Sequence, residues 1–248
     1  MYKLLNASFF RLKKNKIFYF IIVVSIVMAL FVLYSRYTDE LKDIQYGFPL
    51  TDLKTTDRLL IDNLVIIGFL MSLFTSLFVG TEYSDGVIRN KLIAGHSRIS
   101  VYIANFIMSV VVGIIVEVIY LLIVASIGIP MFGGIQIPIS DFLYVLLDSF
   151  MIIVFYAGIF TFISLICSNI TTSTVICLLL TLAMMIMAIL QTPGDEILNI
   201  FPTGQVIQIS WLSYKEEANI QLLWVYSLGI TFVINTIGIY LFNRKELK

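Results

Sequence analysis

Two carboxylates stand inside otherwise apolar runs of this chain. Glu117 lies within Val-Val-Val-Gly-Ile-Ile-Val-Glu-Val-Ile-Tyr, and Asp148 within Tyr-Val-Leu-Leu-Asp-Ser-Phe-Met. Ionisable groups in hydrocarbon are costly, so they face a cavity or a partner. Two uses follow: a polar patch that contacts a cationic substrate or gates a path, or a structural hydrogen-bonding pair. Other chemistry is scarce. His96 is the only histidine, and Cys167 and Cys177 are too few for a disulfide framework. A single histidine leaves no nucleophile-plus-base arrangement and no metal-ligand cluster. The chain has no Gly-Lys dipeptide and hence no phosphate loop.

The elements that must position Glu117 and Asp148 are membrane spans. Of 248 residues, 59% are hydrophobic and 13% charged, with a mean hydropathy of +0.98. A soluble domain carries roughly 25% charged residues; at half that, the chain could not clothe a globule in water. A span needs about 20 mostly apolar residues. Six stretches qualify: 17–35, 64–80, 99–127, 142–166, 174–191 and 222–242. The fold class predicted is therefore all-α integral membrane, one transmembrane domain over 1–248. Glu117 then lies about 15 Å from one end of the third span and Asp148 about 10 Å from the same end of the fourth, at similar depth on helices joined by the hairpin 128–141. The segment 36–63 reads as a long polar connection. Residues 192–220, broken by Pro193-Gly194, Pro202 and Gly204, read as short outer helices before the sixth span.

Lysine and arginine orient the spans. With the N-terminus in the cytoplasm, eleven of the 16 basic residues fall inside, including Lys3, Arg11, Lys13, Lys14, Lys16, Arg89, Lys91, Arg98 and Arg244. Arg36, Lys42, Lys54, Arg58 and Lys215 fall outside. Both termini are predicted to be cytoplasmic. The zero net charge is the balance of a basic inner face and an acidic outer one, and calls for no nucleic-acid partner. The Met184, Met185 and Met187 group reads as packing, and Trp211, Trp224 and Tyr226 as an interfacial belt.

Two segments outside the spans have pattern. In 1–16, Tyr2, Leu5, Phe9 and Leu12 share a helical face, with Lys3, Arg11 and Lys14 opposite; this predicts an interfacial amphipathic helix. In 80–98, Ile88 and Leu92 are four apart with Val87 beside them, bracketed by Gly86 and Gly95, while Arg89 and Lys91 project elsewhere. Such a helix can place its apolar face in a partner's groove.

The pattern Glu82, Gly86-Val87-Ile88, Gly95-His96-Ser97-Arg98 resembles the first cytoplasmic loop of ABC-2 type transporter permeases, with Val87 where threonine is commoner. The resemblance implies that Glu82, Tyr83, Asp85, Gly86, Val87, Ile88, Arg89, Lys91, Leu92 and Arg98 form the coupling segment that docks on an ATP-binding cassette subunit. It also implies a permease of the bacterial plasma membrane that is no enzyme itself and holds no cofactor, with ATP and Mg on the ATPase partner. A second copy or a homologous permease would complete the passage. Small permeases of this kind resemble exporters of antimicrobial or cytolytic peptides, including lantibiotic-immunity and phenol-soluble-modulin exporters; hydrophobic drug efflux is the next reading. Two other classes make different expectations. An ion-gradient transporter using Glu117 and Asp148 would work without an ATPase, and a non-transporting immunity or scaffold protein would act by binding alone.

Overall fold

The computed structural model describes residues 2–46, 55–133, 139–167, 169–189 and 220–245. Among these, every regular element is helical. In order they are α1 (Tyr2–Lys14), α2 (Lys16–Tyr46), α3 (Thr55–Ser84), α4 (Val87–Ile93), α5 (Arg98–Ile123), α6 (Ile129–Phe132), α7 (Ile139–Cys167), α8 (Ile170–Ile189) and α9 (Ile220–Arg244). Five helices are long and apolar enough to span a membrane, and α8 contributes a shorter apolar stretch, Ile170–Ile186. The six expected spans are all helices. The short helices expected within 192–220 lie outside the described residues.

Helix ends differ from expectation where polar residues find partners. The stretch 36–63 does not begin as a loop: α2 runs on to Tyr46, and α3 starts at Thr55. Arg36 donates to both oxygens of Asp62, at 2.8 and 2.6 Å, so the polar extensions of α2 and α3 hold each other. The third span also continues past Ile127. A π-turn, Val124–Gly128, leads directly into α6. Pro130 in that helix lacks an N–H and crowds the preceding turn, and a π-turn absorbs such a defect without ending the helix. The helix ends at Gly133, whose φ of 87° suits glycine.

The core is set by α3 and α7. Within their apolar windows 67% and 61% of residues are buried, against 28% for α2 and 22% for α9. Around α3 pack α2, α5, α7 and α8, and α9 lies mainly on α7. Close approach depends on small residues, as at Gly80. A Cβ there would come within 3.0 Å of the Ile170 backbone, so glycine lets α8 start flush against α3. The lipid-compatible perimeter is formed by residues such as Phe20, Phe31, Leu122, Leu179 and Phe232, all exposed.

Candidate functional site: a buried carboxylate at the basic end of the bundle

One end of the bundle carries α1, α4 and the last turns of α3, α7 and α9. At its centre is Glu82, fully buried in the last turns of α3. Its Oε1 lies 2.5 Å from Arg11 Nη1 and 2.5 Å from Lys91 Nζ. Its Oε2 accepts from Asn105 Nδ2 at 3.0 Å. Three further elements, α1, α4 and α5, thus meet on one α3 carboxylate. A buried charge is tolerable only when paired and hydrogen-bonded; here two cations and an amide meet that need. The Arg11 approach is an ion-pair contact. Its directed hydrogen bond runs from Nη2 to Thr81 Oγ1 at 2.9 Å, and the guanidinium sits 4.9 Å over the Phe78 ring.

Glycine geometry sets α4 beside this node. Gly86 precedes the helix with φ 66°, and Gly95 follows it with φ 86°. His96 N–H donates to Lys91 O at 3.2 Å and Gly95 N–H to Leu92 O at 3.0 Å, the closure that a left-handed glycine makes at a helix end. Ser97 then caps α5 by accepting from Ser100 N–H.

The apolar face of α4 is turned inward. Ile88 is 1% exposed and belongs to the main core, with Leu92 and Tyr83 packed against it. This corrects the expectation that Ile88 and Leu92 enter a partner's groove: burial in their own bundle already satisfies them. The outward face carries Arg89, Asn90 and Ile93, with Ile93 74% exposed, and Ser84 and Asp85 just ahead of the helix are exposed too. Val87 is half-buried, as is His96.

Arg98 is likewise engaged within the chain. Its Nη1 donates to Phe242 O at 2.9 Å, Asn243 O at 3.2 Å and Lys245 O at 2.5 Å, closing the carbonyl end of α9. Lys245 does the same for α7, with Nζ donating to Leu165 O at 2.9 Å and Ile166 O at 2.5 Å. Tyr83 O–H also donates to Leu165 O, at 2.6 Å. Cations suit helix C-termini, where unpaired carbonyls and the macrodipole are negative. Burial lowers the pKa of the Lys245 ammonium.

In α1 the inward face is Leu4, Ser8 and Leu12, with Leu5 and Arg11 at its flanks. The predicted stripe is therefore split. Leu5 and Leu12 face the bundle, whereas Tyr2 is 77% and Phe9 37% exposed. Arg11, expected opposite the stripe, points inward because Glu82 draws it there. Phe10, also exposed, has Lys14 Nζ 4.3 Å over its ring.

The two embedded acids do not form a pair. Glu117 is bonded by Asn63 Nδ2 of α3 and lies beside Ser149. Asp148 accepts from Trp224 Nε1 of α9 at 2.7 Å. Each carboxylate is held by its own partner on a different helix, which corrects the expectation of a shared patch. Trp224, read from sequence as a belt residue, has this more specific task and stacks on Tyr144.

Thr81, Asn105 and Lys245 were not among the residues singled out by sequence, and Arg11 was placed only on the polar face of the first helix. A weak signal existed for two. Arg11 follows Leu4 and Ser8 at near-helical spacing, and Asn105 is an amide inside an apolar span.

No curated protein matched the chain. The family model for the ABC-2 type transporter matches residues 1–239. Members of that family are the non-catalytic, membrane-spanning component of ABC transporters, with ATP hydrolysed on a separate ATPase subunit. With its multi-pass helices and a family match over nearly its full length, the chain belongs to the ABC-2 type transporter family.

Proposed function

We propose that this chain forms the passage of an ATP-driven exporter, as one of two permease copies or with a homologous permease. The cargo would be an amphipathic or hydrophobic molecule, of which an antimicrobial or cytolytic peptide suits a mostly apolar bundle best. The basic end faces the cytoplasm of a bacterial cell, as the eleven basic residues on that side favour. ATP and Mg bind the partner ATPase.

The observation that carries this reading is the Glu82 node. A docking helix must be stiffly joined to the spans it moves. Here α4 is joined by Lys91 to Glu82, and through Glu82 to α1 and α5. The docking surface is the exposed side of α4, centred on Arg89 and Ile93, with Asp85 at its edge. An apolar residue surrounded by polar ones is the usual anatomy of a contact patch. Glu82, Lys91, Ile88, Leu92 and Arg98 transmit the movement from within.

Co-expression with the ATPase subunit tests it. Arg89→Glu with Ile93→Asp should lower ATPase recovery at least tenfold and abolish ATP-driven export, with permease insertion unchanged. Equal ATPase recovery would remove α4's outer face as the docking surface.

A further inference from the structure

Beyond Glu82, both flanks of the docking helix reach the end of α7. Tyr83 precedes α4, and Arg98 opens α5 just after it. Tyr83 O–H donates to Leu165 O at 2.6 Å, in the last turn of α7. Arg98 takes a longer route. Its Nη1 donates to Lys245 O at 2.5 Å, and the Lys245 ammonium donates to Leu165 O at 2.9 Å and to Ile166 O at 2.5 Å. The two flanks of α4 therefore converge on one carbonyl, Leu165 O, one directly and one through Lys245. The ammonium also lies 4.9 Å over the Tyr83 ring, so the two arms touch.

This cluster holds different spans from the Glu82 node. Glu82 gathers α1, α4 and α5 on α3. The Lys245 cluster gathers α7 and α9. Of the candidate spans, α9 is the least buried, so side-chain packing holds it least. A cation near a helix C-terminus satisfies exposed carbonyls and opposes the macrodipole. Here each cap comes from another element: Arg98 of α5 caps α9, and Lys245, which follows α9, caps α7. Each cap is thus also a tie between helices. Among the described residues no carboxylate pairs with either cation. Directed hydrogen bonds to carbonyls therefore define both ties, and such bonds weaken steeply when misaligned.

We propose that Lys245 is a positioning residue for coupling: with Arg98 it makes α9 and the end of α7 follow the docking helix as one body with α3 and α5. The inference rests on the reading of α4 as the docking helix, and not on the exporter's cargo. Movement of α4 reaches α3 and α5 through Glu82. It reaches α9 through Arg98 and Lys245. Without the Lys245 ammonium, α3 and α5 advance and α9 lags. The tie uses neither Arg89 nor Ile93, so its loss leaves docking intact.

The test uses the full chain assembled with its ATPase, with Cys167→Ala and Cys177→Ala. Nitroxides are placed at Tyr37→Cys in α2 and Val225→Cys in α9, both exposed, and labelled copies are diluted with unlabelled ones. Helix α2 packs on α3 and α5 and so reports their movement. Pulsed dipolar spectroscopy measures the distance with and without a non-hydrolysable ATP analogue. With Lys245 present the distance should not change. Lys245→Met should match it without nucleotide and shift by about 2 Å or more with the analogue, the scale of helix shifts in switching proteins. Arg98→Met should shift likewise, and Lys245→Arg, which keeps the donors, should not. A photocrosslink from Ile93 to the ATPase reports docking in parallel samples. An unshifted Lys245→Met that still crosslinks would overturn the tie and leave the docking reading standing. So would an equal shift with Lys245 present, or a changed distance in Lys245→Met before nucleotide is added, which would make the lysine merely structural. A crosslink lost only in Lys245→Met would assign the lysine to docking and overturn the tie. No crosslink with Lys245 present would remove the docking reading and this inference with it.

Discussion

Arg11, in the helix before the first span, lies 2.5 Å from Glu82 at the end of the second. The same carboxylate oxygen lies 2.5 Å from Lys91 in the short helix that follows. Neither cation is near Glu82 by accident of one local turn. One arrives from α1, which also buries Leu4 and Leu12 in the core, and the other from a helix that Gly86 and Gly95 set in place.

Stability should report this node. Removing one member of a fully buried pair costs about 3–5 kcal/mol. Arg11 and Lys91 retain 21% and 11% exposure, so Glu82→Ala is expected to cost about 2–3 kcal/mol, reduced for that solvent screening. Adding Lys91→Met to Glu82→Ala should cost less than the sum of the single changes, because it removes a stranded cation. Thermal unfolding in detergent measures both. Strict additivity would mean that the two side chains do not act together.

The embedded acids make a contrasting case. Glu117 is held from α3 and Asp148 from α9, so Glu117→Gln and Asp148→Asn should have additive effects on unfolding, within about 0.5 kcal/mol. Asp148→Ala and Trp224→Phe should be strongly non-additive, since they break one bond from its two ends. Coupling between Glu117 and Asp148 in the double variant would restore the shared patch.

The six helices were legible because hydrocarbon imposes a length and a composition that few other environments demand. Their ends were not. The helical continuation of α2 and α3 rests partly on Arg36 meeting Asp62, and a window of hydropathy does not see a partner 26 residues away. The facing of α4 was ambiguous for a similar reason. Ile88 and Leu92 define an apolar side, but seven residues of periodicity do not say whether that side meets its own bundle or another protein. In α1 the true inward row of Leu4, Ser8 and Leu12 contains a serine, which weakened it against the more apolar Tyr2, Phe9 row. The Glu82 residue stood out by motif. Its partners did not, because Arg11 and Asn105 become neighbours only when α1, α3 and α5 pack.

Orientation has a direct check. In a cysteine-free background, Lys14→Cys should resist a membrane-impermeant thiol reagent in intact cells and react after permeabilisation. Lys42→Cys, at the opposite end, should react in intact cells. The reverse pattern would place the basic end outside, and with it the proposed docking face.

The most direct measurement of the account is site-specific photocrosslinking from α4 in the assembled transporter. With a photoreactive phenylalanine analogue replacing Ile93, the exposed residue, the account predicts a crosslink to the ATPase subunit. The yield should change when a non-hydrolysable ATP analogue closes the ATPases. The same analogue replacing the exposed Tyr2 of α1 should yield crosslinks to lipid only. An Ile93 probe that reaches lipid or its own chain, and never the ATPase, would contradict the claim that this face couples ATP hydrolysis to the spans.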